Sequence, residues 1–192
     1  MKRFGIALVC LAMLALIVAP TAAKKDSYID KFDAVAASVQ GGGGSGMAIL
    51  RFGINEWTTP EERAEGIAAF DEGGSQALYE WLDAQPKKAV GFSPEGRPYD
   101  MMYAFQWEKD GNRTIILATN RPISGLETMV GSQRSLRYNI SLVLIEFEAG
   151  KKKGKGQMVL GAELTVNKEG QLSIEAAALQ PIQFTKVTDK MK

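Results

Sequence analysis

The constellation in this chain best suited to bond-breaking chemistry is Asn55-Glu56-Trp57, a carboxylate between an amide and an indole at the end of a predicted strand. An aromatic wall raises the pKa of a carboxylic acid and also gives a sugar ring a surface to stack on, which is what a glycosidase acid requires. Glu56 is therefore the candidate general acid or base, and the chemistry would be a carboxylate-based hydrolysis. A structural reading stands beside it. Glu56 lies three residues before a predicted helix cap, where polar side chains support the turn. Barrels that host such Asn-Glu pairs also need about 200 residues or more.

Three other residues are candidates for binding. Trp57 and Tyr99 offer flat surfaces to a glycan or another planar ligand. Arg121, in Asn120-Arg121-Pro122 at a strand end, suits a carboxylate or other anion. Each also has a plainer role. Tyr99, Met101, Tyr103, Phe105 and Trp107 alternate with Asp100, Met102, Ala104 and Gln106, as one core face of a strand does. Arg121 is equally placed to pair with Glu61 or Glu62. Lys151, Lys152, Lys153 and Lys155 cluster in a predicted turn. They would either attract an anionic surface or keep a hairpin tip solvated. Glu146 and Glu148 share a strand face, but no further oxygen ligands stand at Ca²⁺-binding spacing, so no metal site is expected.

The missing residue types exclude more than the motifs include. The 192 residues contain no histidine and one cysteine, Cys10. Ser-His-Asp and Cys-His machinery, His- or Cys-built zinc sites and His- or Cys-ligated haem are closed to it. No Walker loop, G-x-S-x-G or S-x-x-K pattern occurs. Gly41, Gly43 and Gly46 satisfy G-x-G-x-x-G in spacing only, because a strand rather than a helix is predicted after them. No cofactor is expected. A net charge of +1 gives no electrostatic ground for nucleic-acid binding.

Elements must position these residues, and the N-terminus comes first. Lys2 and Arg3 precede an apolar run from Phe4 to Val18, followed by Ala19-Pro20-Thr21-Ala22-Ala23. This is the layout of a signal peptide over 1–23, too short to span a bilayer comfortably. The expectation is an exported chain, periplasmic or extracellular, with no stable membrane span after cleavage. An uncleaved anchor is the alternative. Residues 24–46 are expected to be a tether and Gly-rich linker, with Tyr28, Phe32, Val35 and Val39 on one helical face. A single domain is expected over 47–192. It opens on a strand in which Ala48, Leu50, Phe52 and Ile54 alternate. Thr59-Pro60-Glu61-Glu62 then forms a capping box with Pro at the first helical position. Gly73-Gly74 should end that helix, and Ser75 should cap a second that stops at Pro86. Strands follow, with a hairpin turn at Asp110-Gly111, a strand apolar on both faces around Leu142–Ile145, and a last strand after Pro181. The fold class predicted is α+β: a curved or partly closed antiparallel sheet of six to seven strands, packed on a two-helix insertion after the first strand.

The segments Gly53-Ile54-Asn55-Glu56-Trp57-Thr58-Thr59-Pro60-Glu61-Glu62-Arg63, Tyr103-Ala104 and Leu117-Ala118-Thr119-Asn120-Arg121-Pro122-Ile123 resemble small secreted bacterial proteins to which no activity is assigned. The likeness covers about 47–187. It implies an exported bacterial setting and brings no catalytic residues. The function expected from all this is a non-enzymatic module binding a small molecule, glycan or protein. The alternative is the hydrolase built on Glu56.

Overall fold

The computed structural model describes residues 28–36, 47–92, 98–120, 140–166, 172–176 and 181–191. Ten strands and one helix make up these segments: β1 (Asp30–Ala36), β2 (Ala48–Ile54), α1 (Pro60–Ala84), β3 (Ala89–Phe92), β4 (Pro98–Met101), β5 (Tyr103–Lys109), β6 (Asn112–Thr119), β7 (Ile140–Phe147), β8 (Lys153–Val166), β9 (Leu172–Ala176) and β10 (Ile182–Asp189). All pairings are antiparallel, in the order β4-β3-β2-β1-β10-β8-β7-β6-β5, with β9 on the far part of β8.

One bent strand nearly closes this sheet into a barrel. β4 and β5 are separated only by Met102. β4 pairs with β3, whereas β5 pairs with β6, so the two ends of the strand order meet in one stretch of chain. Thr58 helps seal the junction. Its N–H donates to the Ala104 carbonyl at 2.6 Å, and its hydroxyl accepts from the Ala104 N–H at 3.0 Å. The inward row of each strand fills the interior. Phe32, Ile54, Ile115, Leu117 and Ile145 are wholly buried there, with Phe52, Phe147, Met158 and Phe184 around them. A space filled by side chains is what barrels of modest strand number allow, so a ligand has to be sought on the outer wall.

This architecture replaces the α+β prediction in three respects. The sheet has ten strands rather than six or seven, and its core lies inside the barrel rather than between sheet and helices. The predicted pair of helices is one element, α1. Thr59 caps it as expected: the Glu62 N–H donates to Thr59 Oγ1, and Glu62 Oε2 accepts from the Thr59 N–H at 2.8 Å. Gly74 interrupts its helical backbone where the sequence placed the break, although the two stretches run on as one kinked element. With φ of 65° it takes a conformation that glycine alone adopts freely, and it kinks the element there.

The third difference is β1. Residues 30–36 were expected to lie on a helical tether. They form a strand hydrogen-bonded to β2 on one side and to β10 on the other. The helical spacing of Phe32 and Val35 competes with the alternation of Phe32, Ala34 and Ala36, and two strand partners decide in favour of alternation. The predicted lysine turn also shifts, since Lys153 and Lys155 belong to β8.

Candidate functional site

Met102 divides the aromatic row that the sequence placed on one face. Its N–H donates to the Ala118 carbonyl at 3.0 Å while Tyr103 pairs with Ala118, so two residues oppose one, as in a β-bulge. The bulge shifts the alternation by one residue. Tyr99 and Met101 pack with the barrel core, whereas Tyr103 turns outward into a second cluster with Met102, Trp81, Leu82, Ala118, Ile140 and Leu142. Phe105 and Trp107 continue outside in a chain of ring contacts. Trp107 stacks on Phe105 at 6.3 Å, Phe105 meets Tyr103 at 6.2 Å, and Tyr103 meets Trp81 edge-on at 6.4 Å.

Helix α1 lies over part of this outer face. Arg63, Gly66, Ile67 and Phe70 follow the i, i+3, i+4, i+7 spacing of one helical face, and beyond the kink Leu78, Trp81 and Leu82 repeat it. Gly66 lets the Trp81 ring sit against the helix, because a Cβ there would approach within 2.9 Å of it. Between helix and barrel wall remains a groove of about 260 Å³. Its floor is Tyr103, Ile116, Ala118 and Leu142, and Ile67 and Ile174 form its lips at 44% and 47% exposure. Among the described residues Arg63 is the one charged residue lining it, with its guanidinium 5.2 Å from the Phe105 ring centroid. Burial pushes the Tyr103 phenol above its ordinary pKa, and a hydrogen bond and attraction from Arg63 oppose this. Tyr103 therefore stays protonated at neutral pH, and the floor of the groove is uncharged.

Of the predicted site residues, Glu56, Trp57 and Tyr99 lie away from the groove. Glu56 accepts a hydrogen bond from Lys88 Nζ at 2.9 Å. Lys88 is buried and also donates to Glu62 Oε1 at 2.8 Å. This triad ties the start of α1 to the entry into β3, because Glu62 holds both the Thr59 cap and Lys88. Glu56 thus pairs with an ammonium group at the start of α1. Trp57 packs on the barrel core with Arg113 over its ring at 5.8 Å, and Tyr99 packs on the same core from β4. Arg121 lies outside the described residues. Among the described residues no group of three or more His, Cys, Asp or Glu side chains is placed to hold a metal ion.

A second concavity, broad and shallow at about 900 Å³, lies on the same outer wall near the β5–β6 turn. Trp107, Thr114, Lys109, Lys151, Lys153, Lys155 and Lys186 line it together with Asp110, Glu146 and Glu148. Lys155 pairs with Glu146 at 3.4 Å, and Lys151 pairs with Glu148. Lys109, Lys153 and Lys186 make no ion pair among the described residues.

No protein-family model, curated protein or solved structure matches this chain. Sequence reasoning passed over the groove because it treated the β5 aromatics as core. The usable signal was β7, apolar on both faces. Such a strand needs cover on its outer side as well, and one kinked helix covers only part of that surface.

Proposed function

We propose that the protein is an exported, non-enzymatic binding module that holds the apolar part of a small ligand in the groove between α1 and the barrel wall. The observation that supports this most is the groove itself: a concave, almost wholly apolar recess beside a barrel whose interior is already full. Export rests on the signal-peptide layout of residues 1–23. Among the described residues no helix is long and apolar enough to cross a membrane.

The lips of the groove provide the test. Ile67 and Ile174 are already about half exposed, so Ile67→Glu and Ile174→Glu should leave the fold intact, moving stability within about 0.5 kcal/mol. Each change sets a carboxylate against the apolar part of the ligand and should weaken binding about tenfold. Titration with decyl glucoside, a neutral single-chain probe kept below its micelle concentration, gives the readout. Saturable binding by the native protein, weakened about tenfold in both variants, supports the groove. No binding, or equal binding by all three proteins, refutes it.

A further inference from the structure

The groove and the lysine concavity are parts of one face. Three cross-strand rows step along the outside of β5, β6 and β7: Tyr103–Ala118–Leu142, then Phe105–Ile116–Leu144, then Trp107–Thr114–Glu146. Ile116 lines the groove, and Thr114, two residues along β6, lines the concavity. A two-residue step in a strand is about 7 Å. The apolar surface thus runs from beneath α1, across Phe105 and Ile116, to a Trp107 ring that is 40% exposed, and it ends among lysines. The five lysines and three carboxylates lining that end leave it net positive, and Lys109, Lys153 and Lys186 make no ion pair there among the described residues.

From this juxtaposition we infer that the ligand is an anionic amphiphile, a single apolar chain ending in a carboxylate, sulfate or phosphate. The chain lies in the groove under α1, and the head passes Trp107 to reach the lysines. The inference rests on the groove reading and adds the charge and orientation of the ligand. Charge complementarity sets the orientation, since Arg63 and the lysine end offer cations along the path and the groove floor offers none. The recess is concave, with Ile67 and Ile174 as its rims. That shape encloses one chain, whereas docking on a bilayer would call for apolar side chains standing proud of the surface.

The test compares decyl phosphate with decyl glucoside, equal in chain length and different in head charge, on the full chain in low salt. The native protein should prefer the phosphate about tenfold, the sum of three exposed charge interactions. Added salt should erode that preference. The triple variant Lys109→Ser/Lys153→Ser/Lys186→Ser should reduce it to about twofold, with its thermal midpoint checked against the native protein. Equal affinity for the two probes overturns the inference while leaving the groove reading intact, and so does a preference that survives the triple variant. If decyl glucoside does not bind, the groove reading falls and the inference falls with it. Sedimentation with phosphatidylglycerol vesicles separates the other source of anionic heads. Lysine-dependent binding to vesicles without binding of monomeric decyl phosphate would overturn the inference in favour of a membrane surface.

Discussion

Arg113→Met should lower the unfolding free energy by about 3 kcal/mol, near the lower end of what removing one partner of a buried ion pair costs. Arg113 begins the inward row of β6 that continues through Ile115 and Leu117. Its guanidinium caps one end of the barrel. It donates to Gln106 Oε1 at 2.7 Å, pairs with Asp30, lies 3.6 Å from Asp189, and covers the rings of Phe32 and Trp57. Methionine keeps the apolar stem and removes the charge. Among the described residues the Asp30 carboxylate, with 9% of its side chain exposed, then keeps only the Lys31 N–H at 2.9 Å. For a domain of this size the loss corresponds to a fall in melting temperature of about 6–12 °C. The orphaned carboxylate is the main cost, so Asp30→Asn added to Arg113→Met should restore about half of the loss. Thermal and urea unfolding of the four proteins of the cycle measure this. A single variant within about 0.5 kcal/mol of native would show that the cluster does not hold the barrel end.

Lys88→Met should cost about 2 kcal/mol, less than a fully buried pair would, because Glu56 is mostly exposed and hydrates readily. The loss should also depend on pH in a defined way. The hydrogen bond from Lys88 and that from the Thr59 N–H hold the Glu62 carboxyl below its ordinary 4.5. A depressed carboxyl contributes stability above its unfolded pKa, and that contribution disappears as pH falls through the folded value. For Lys88, burial alone would lower the pKa, but hydrogen bonds to Glu62 and Glu56 outweigh it and raise the amine above 10.5. A raised amine contributes below its unfolded pKa, and that contribution disappears as pH rises through the folded value. The gap between native and variant should therefore be widest from about pH 5 to pH 10 and shrink on either side. A gap independent of pH would assign the role of Lys88 to packing of its stem.

Local chemistry and a sheet curving towards closure were legible in the sequence, and the strands that complete the closure were not. The capping box at Thr59 to Glu62 stands as written, because every partner lies within one helical turn. Asp110-Gly111 turns the β5–β6 hairpin with φ of 53° and 76°, as that dipeptide favours. Residues 30–36 were misread because seven residues satisfy a helical and a strand spacing at once. Only the partners on both sides, one of them at the far end of the chain, settle the choice. The Tyr99 to Trp107 row shows the same limit at a finer scale. One bulged residue, fixed by its partner strand, sends Tyr99 inward and Tyr103 outward, and periodicity carries no sign of it. Lys88 and Arg113 have the composition of surface residues, and it is carboxylates distant in sequence that bury them. The groove depends on strand closure and on the bulge at Met102, neither of which a local motif records.

Amide and indole chemical-shift mapping of the full chain during titration with decyl phosphate tests the groove most directly. The predicted result is that the largest shifts fall on Ile67, Ile116, Leu142 and Ile174 and on the Trp107 indole, while Phe32 and Ile145 inside the barrel stay in place. Shifts gathered instead around Glu56, Trp57 and Tyr99, or spread through the barrel interior, would contradict it.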